Sequence, residues 1–318
     1  MRLPLGSPGA KVLAFGHYQP ANVVTNDDLA KLIETNDEWI QSRVGIKERR
    51  FAGPEESEIE LAVQAGGKAL AASGLAAGDI DLVIVATCTL EAQIPNAAGR
   101  VAHRLGISAP GAYDVNAACA GFCYALAAAS DAIRAGSAVN VLVVGTEKLT
   151  QWVDIEDRAT SVIFADGAGA AVVVPSETPG IGPVVWGSAG DKYDAIIIKD
   201  RHSALHQEGQ TVFRWATTAL HPIAKQACER AGVDPAELAA FVPHQANLRI
   251  IESLARRLGA DNAVVAKDIV LAGNTSAASI PLALSRMIER GEVPSGGLAL
   301  LLGFGAGLTY ASQVIEIP

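Results

Sequence analysis

Parts of this chain repeat at a spacing of 158 residues, and no other feature restricts its fold as tightly. Gly74, Asp79, Ile80 and Val83 return as Gly232, Glu237, Leu238 and Phe241. A second echo, DGAGAAVVV (166–174) and FGAGLTYAS (304–312), recurs at a different offset. Similarity of this kind marks a duplicated supersecondary unit. In the first copy, residues 11–16 read as a strand. Thr25 and Thr35 open short helices, the latter with Glu38 in a capping box, and residues 57–73 form an Ala-rich helix closed by Gly74. Buried strands follow at 82–87 and 139–144, and 163–174 reads as strand, Gly-rich turn and strand. In the second copy, helices are expected at 213–231, 247–258 and 276–289, with strands at 238–242 and 298–302. Strands alternating with helices imply an α/β chain with largely parallel, buried sheets and helices between and outside them. The halves divide as residues 1–178, carrying Cys119, and 179–318, carrying His244 and Asn274.

Composition narrows the function. The chain has 318 residues, 50% of them hydrophobic, enough for a large buried core. A formal charge of −9 without a long basic run argues against nucleic acid as a partner. No charged-then-apolar leader opens the chain, so a soluble, cytoplasmic protein is expected. The longest uncharged run, 293–315, is long enough to span a membrane. Pro294 and the glycines at 296, 297, 303, 305 and 307 suit a buried strand–turn–strand instead, and no membrane partner is expected. Four cysteines without a CxxC pair favour neither a disulfide framework nor a zinc site. Cys88, Cys123 and Cys228 lie among apolar residues, as inert core thiols would.

Cys119 differs. It falls in YDVNAACAGFCYAL (113–126), where a short apolar strand and a turn of small residues lead to a helix expected to begin near Cys119 and stop at Gly136. A helix N-terminus gathers unpaired N–H groups and the positive end of the dipole, which stabilise a thiolate. Ala117, Ala118, Ala120 and Gly121 would let a substrate approach the sulfur. A small core cysteine accounts for the same letters, so a nucleophile needs partners. The second half offers two. His244 directly follows a buried strand, at the carboxyl end where ligands gather in such sheets. Asn274 sits in a Gly-bounded loop before the helix at Ser276, the counterpart of the Cys119 turn. Singly, such a His is more often a structural hydrogen-bonder and such an Asn a helix cap. At matching ends of a repeated fold they make a Cys119–His244–Asn274 site plausible.

Together, DVNAACAGF, PHQANLRI and GNTSAAS resemble the β-ketoacyl-acyl-carrier-protein synthase III family of the thiolase-like superfamily, and the resemblance runs from about Lys11 to the C-terminus. It implies a thiolase-like fold whose two pseudo-symmetric βαβαβ-type halves stack as five αβαβα layers. It also implies a decarboxylative Claisen condensation. Cys119 takes an acyl group from coenzyme A, and His244 and Asn274 hold the thioester carbonyl of malonyl-acyl carrier protein as it becomes an enolate. The carbanion then attacks acyl-Cys119, giving β-ketoacyl-carrier protein, coenzyme A and CO2. The resemblance puts an oxyanion hole at the backbone of Cys119 and Gly305. Trp39, in TNDEWIQSR, with Arg43 and Arg158, matches nucleotide contacts; Gly209, Phe213, Arg214, Asn247 and Arg249 match the pantetheine tunnel and its mouth. Arg249, Arg256 and Arg257 with Arg214 form a basic island, either an ordinary solvated face or a landing site for an acidic carrier protein. Ile94, in EAQIPNAAG, matches a residue that closes the partner's acyl pocket, which implies a homodimer. No metal or redox cofactor is implied.

The chain departs from the family pattern in places. Gln207 stands where a methionine usually flanks the acyl pocket, the segment 190–206 is short, and Leu271 and Ala272 replace larger polar residues before GNTSAAS. The starter acyl group, and whether it primes fatty acids or polyketides, stays open. His202 and His206 have the spacing of a helical metal pair but no third ligand. GFGAG (303–307) precedes a strand rather than the helix a dinucleotide loop needs. Acyl transfer without decarboxylation is the alternative; Asn274 argues against it, since an acid or base would better serve an alcohol or amine acceptor. Elongating condensing enzymes carry two histidines, and chalcone-synthase-like chains are longer. A non-catalytic partner subunit would not need Cys119, His244 and Asn274 together.

Overall fold

Apolar runs too short for helices and bounded by glycine or proline become the strands of two five-stranded sheets in the computed structural model, which describes residues 6–92 and 94–318. The chain opens with β1 (Gly9–Tyr18). A short pair, β2 (Val23–Thr25) and β3 (Glu48–Arg50), brackets α1 (Asn26–Ala30) and α2 (Asp37–Val44). Then come α3 (Glu58–Ser73), β4 (Leu82–Ala86), α4 (Ala97–Arg104), β5 (Gly111–Val115), α5 (Gly121–Arg134), β6 (Val141–Lys148) and β7 (Asp166–Ser176). The second half starts with β8 (Val185–Ser188), a small hairpin of β9 (Ile196–Ile197) and β10 (His206–Gln207), and α6 (Gly209–Ala231). It continues through β11 (Leu238–Pro243), α7 (Leu248–Leu258), β12 (Val264–Val265), α8 (Ile269–Ala272), α9 (Ser279–Glu289), β13 (Leu298–Gly305) and β14 (Thr309–Glu316).

The sheets have the orders β1-β7-β6-β4-β5 and β12-β11-β13-β14-β8. In each, four strands run one way and one is reversed: β7 lies antiparallel between β1 and β6, and β14 antiparallel between β13 and β8. Helices α5 and α9 fill the space between the sheets, α3 and α4 cover the outer face of the first, and α6 and α7 that of the second. This is the five-layered thiolase-like arrangement expected. The uncharged run near the C-terminus is the β13–β14 hairpin, and no helix among the described residues is long and apolar enough to cross a membrane.

The repeat in the letters is a repeat of structure. Gly74 and Gly232 end α3 and α6 with φ of 74° and 69°, the left-handed conformation that glycine adopts without a Cβ penalty. The turns that follow, Ala77–Asp79 and Pro235–Glu237, are fastened alike: the Ala76 N–H donates to Asp79 Oδ2 (2.8 Å) and the Asp234 N–H to Glu237 Oε2 (2.9 Å). The same spacing relates Asn116 to Asn274, each accepting the amide two residues on, from Ala118 at 3.3 Å and Ser276 at 2.9 Å. It also relates Gly145 of β6 to Gly303 of β13. A Cβ on Gly145 would fall 2.5 Å from the Ala277 carbonyl oxygen, and one on Gly303 2.9 Å from Ala120 Cα.

Three expectations are corrected. The second helix is capped by Asn36, whose Oδ1 accepts the Trp39 N–H at 2.8 Å, rather than by Thr35, whose hydroxyl is buried without a partner. Residues 163–174 are not two strands: Ile163 lies in a turn, and β7 runs unbroken from Asp166 because the missing side chain of Gly169 admits α9, a Cβ there lying 2.5 Å from Leu282 N. Consequently DGAGAAVVV and FGAGLTYAS are not counterparts, since the second Gly-Ala-Gly leads into the β13–β14 turn. Gly145→Ala should destabilise the protein by at least about 2 kcal/mol in denaturant unfolding. Gly78→Ala, where a Cβ meets nothing within 4 Å, should stay within about 0.5 kcal/mol of the parent.

Candidate active site

A cavity of about 800 Å³ opens where the two halves meet, and Cys119, His244 and Asn274 all line it. A helix does begin near Cys119: the residue sits in a single 3-10 turn, Ala118–Ala120, that runs directly into α5 at Gly121. The Asn116 side chain accepts the Ala118 N–H, and Ala118 takes a φ of 44° as the chain enters that turn. The thiolate expected from a helix terminus is not the resting form. Burial pushes the Cys119 thiol up to about 12, and the nearby Glu147 charge adds to the rise. Hydrogen bonds from the Ser276 hydroxyl and the amides of Cys119 and Ala306 pull the other way without overcoming it. Gly305 and Ala306 of the β13–β14 turn both line the cavity beside Cys119, and Gly305 approaches it so closely that a Cβ there would lie 2.8 Å from Cys119 Sγ.

His244 follows β11 and is buried. Its N–H donates to the Leu302 carbonyl (2.8 Å), tying it to β13, and Phe304 meets the ring edge-on at 5.2 Å. Nδ1 lies 2.7 Å from Ser279 Oγ, which also accepts the Gln245 N–H at 3.2 Å. When the Ser279 hydroxyl donates to Nδ1, the imidazole carries its own proton on Nε2. Burial lowers His244 to about 3, so the ring is neutral. Asn274 is pinned through its main chain, donating to Ile163 O (3.0 Å) and accepting from Ala165 N (2.9 Å). Its Oδ1 is taken by the Ser276 N–H, which leaves Nδ2 as its free donor. Two neutral donors from the second half therefore share the cavity with a thiol from the first. Such a set suits a carbonyl oxygen that gains negative charge.

The other expected residues line the same cavity, except one. Trp39 lies under the Arg158 guanidinium at 4.7 Å, with Arg43 at 5.9 Å, and Arg249 covers Phe213 at 5.2 Å. Gly209, Arg214 and Gln207 also face the cavity. Asn247 lines it too, but its side chain caps α7 through the Arg249 N–H and donates to Arg43 O (3.1 Å). Arg257 donates to the Thr217 carbonyl yet stays exposed, as do Arg214, Arg249 and Arg256 of the expected basic island. Ile94 stands outside its own chain's cavity, 87% exposed. Leu271 faces a separate cleft with Lys47 and Asp268. His202 lies in a turn and His206 in β10, so their spacing is not helical.

Comparison with known proteins agrees with this geometry. Residues 113–190 match the family model described as 3-oxoacyl-[acyl-carrier-protein] synthase III, and residues 228–317 match its C-terminal counterpart. β-Ketoacyl-[acyl-carrier-protein] synthase III 4 of Streptomyces coelicolor is 58% identical over 98% of this chain and 99% of its own. The chain belongs to the β-ketoacyl-acyl-carrier-protein synthase III family. Among solved structures, the priming β-ketosynthase of the R1128 polyketide biosynthetic pathway is 44% identical, with a TM-score of 0.97 over 100% of this chain and 98% of that one. The Aquifex aeolicus synthase III is 40% identical, with a TM-score of 0.92 over 97% and 100%.

Some residues of this synthase's site escape sequence reasoning. Ser276 and Ser279 sit inside GNTSAAS and Ala306 inside GFGAG, but their roles depend on which way each side chain or amide turns. Cys88 is corrected from inert core thiol to cavity wall: its thiol donates to Glu147 Oε1 at 3.3 Å. A signal was present in Glu147 itself, a carboxyl at the end of the apolar run VLVVGTE. The His244 arrangement predicts a single tautomer: nitrogen NMR should show Nε2 protonated and no titration between about pH 4.5 and 8. Ser279→Ala should mix the tautomers.

Proposed function

We propose that this synthase starts acyl chains by condensing an acyl-CoA with malonyl-acyl carrier protein, and that Cys119, His244 and Asn274 carry the chemistry. The observation that carries this reading is the donor arrangement. Asn274 Oδ1 and His244 Nδ1 are both occupied, so each residue turns an N–H toward the cavity that Cys119 lines.

The Cys119 sulfur attacks the acyl-CoA thioester, while the amides of Cys119 and Ala306 stabilise the oxyanion. Coenzyme A leaves as the thiol. Malonyl-carrier protein then places its thioester carbonyl against His244 Nε2 and Asn274 Nδ2. The C–C bond to the carboxylate breaks, CO2 departs, and the electron pair forms an enolate that the two N–H groups stabilise. Its carbon attacks the acyl-Cys119 carbonyl, the C–S bond breaks, and Cys119 leaves as thiolate and takes a proton from solvent. A neutral His244 suits this role better than a charged one, because its donor strength does not vary with pH in the working range.

Coenzyme A fits the mouth. Adenine would enter between Trp39 and Arg158, and the phosphates would meet Arg43, Arg214 and Arg249. The carrier protein would meet the same arginines and Arg256. We also propose a cytoplasmic homodimer. Its support is the exposed Ile94 outside its own cavity, together with the open edge of the first sheet at β5.

Intact-protein mass spectrometry with a panel of acyl-CoAs, followed by malonyl-carrier protein, tests the reaction. A thioester on Cys119 that the second reagent discharges supports condensation; an adduct that it cannot discharge supports simple acyl transfer. Asn274→Ala should leave acylation within about threefold of the parent yet slow decarboxylation about a hundredfold or more, as for loss of one oxyanion donor. Equal loss in both steps would overturn this division of roles. Trp39→Ala should raise KM for acyl-CoA about tenfold with little change in kcat, measured at saturating malonyl-carrier protein.

A further inference from the structure

Glu147, at the carboxyl end of β6, is fully buried. Among the described residues no Lys, Arg or His makes an ion pair with it. Its shell consists of donors. Oε2 accepts from Thr87 Oγ1 (3.1 Å), Thr89 Oγ1 (2.8 Å) and Cys88 N (3.0 Å), and Oε1 accepts from Cys88 Sγ (3.3 Å) and Ser276 Oγ (2.9 Å). A buried carboxyl without a cation is costly to hold for stability alone. Three of its partners are hydroxyls, which can rotate to accept as readily as to donate, so the shell can house the acid as well as the carboxylate. One of these hydroxyls belongs to Ser276, which lines the cavity together with Cys119, and the short turns that carry the two residues pack against each other.

We propose that Glu147 accepts the Cys119 proton during acylation, with the Ser276 hydroxyl as the relay between them. This rests on Cys119 being the residue that takes the acyl group. As the bond from sulfur to the acyl carbon forms, the S–H bond breaks and its proton passes to Ser276 Oγ. The Ser276 proton passes to Glu147 Oε1. When the tetrahedral intermediate collapses, the carbon–sulfur bond to coenzyme A breaks. The departing thiolate then recovers the proton by the reverse route. Glu147 ends ionised, and no other reactant is needed. Glu147 acts through Ser276 and touches no substrate.

The other titratable groups nearby do not compete for this role. Burial leaves His244 a weak base, with Nδ1 engaged by Ser279. Cys88 donates its own thiol proton to Glu147, and burial holds that thiol well above its ordinary range. Lys148 points away to the Gly53 carbonyl (2.8 Å), Asp166 of β7 is paired with Thr150, and the Glu58 carbonyl of α3 accepts from Thr146 of β6. Burial raises Glu147 above the usual carboxylate range, nearer the pH at which a proton is both taken and returned.

Single-turnover acylation, followed by intact mass across about pH 6 to 9, tests this with whichever of acetyl-, isobutyryl- or isovaleryl-CoA labels the parent. The parent rate should be nearly flat around neutrality. Glu147→Gln should acylate about a hundredfold more slowly at pH 7 and regain about tenfold per pH unit as hydroxide takes over. Its malonyl decarboxylation should fall far less. Glu147→Asp should restore the flat profile at an intermediate rate. Ser276→Ala, which keeps the amide that holds Asn274, should match Glu147→Gln, and the double variant should be no slower than either. Should Glu147→Gln fail to fold, Ser276→Ala decides alone. An unchanged pH profile in the variants, or equal loss of acylation and decarboxylation, would overturn the relay while leaving condensation standing. A parent that no acyl-CoA labels would overturn the proposed function and the relay with it.

Discussion

Each of the two short turns that carry reactive side chains rests on a glycine of the opposite sheet. Ala120, beside Cys119, lies against Gly303 of β13, and Ala277, just past Asn274, lies against Gly145 of β6. The turn that starts α5 is therefore floored by the second half, and the turn that starts α9 by the first. Neither half has a complete site without the other. The middle layer has to be thin enough to allow both contacts, which explains why the buried faces of α5 and α9 carry so many small residues, among them Ala125, Ala129 and Ala283. Close approach of backbone to backbone fixes the turns far more tightly than side-chain packing could, and a reaction that needs its donors within a few tenths of an ångström benefits from that.

Charge is kept away from the chemistry. The arginines stand at the mouth of the cavity, over Trp39 and Phe213, where they can meet phosphates and an acidic partner. Inside, the groups facing the substrate are neutral: a thiol, an imidazole that burial keeps deprotonated, an amide and backbone N–H groups. Neutral donors stabilise an enolate as it forms without binding its neutral precursor as strongly, which is the differential that accelerates a reaction. Glu147 is the exception, and it lies behind the thiol rather than in front of it.

Much of this was legible in the letters because the determinants are local. The offset of 158 was read from Gly74 and Gly232 and from Asp79 and Glu237, because helix caps and the turns after them are set by residues only a few positions apart. Cys119, His244 and Asn274 could be picked out because each stands at the end of a strand or the start of a helix, flanked by small residues or by a motif long enough to be specific. The failures had non-local causes. The thiol of Cys119 is governed by burial between two sheets, which no window around residue 119 contains. Asn36 rather than Thr35 caps α2 because of which side chain reaches the Trp39 amide. Cys88 looks apolar in sequence, and only the fold brings it to Glu147 of the neighbouring strand.

The unrepeated parts of the chain do a different job from the repeated ones. Strands β13 and β14 are joined directly by residues 306–308, whereas their counterparts β6 and β7 are joined by residues 149–165. That longer connection supplies Leu149, Arg158, Val162, Ile163 and Phe164 to the cavity wall, and the β9–β10 segment supplies Ile196, Leu205 and Gln207. The first of these is anchored by Arg49, fully buried, which donates to the Val162 carbonyl at 2.8 Å. The second is held by a ladder of only two residue pairs, Gln207 with Ile196 and His206 with Ile197. A wall fastened so lightly can change its side chains without disturbing the turns that hold Cys119 and Asn274. The wall and the turns are thereby separately supported parts of one cavity.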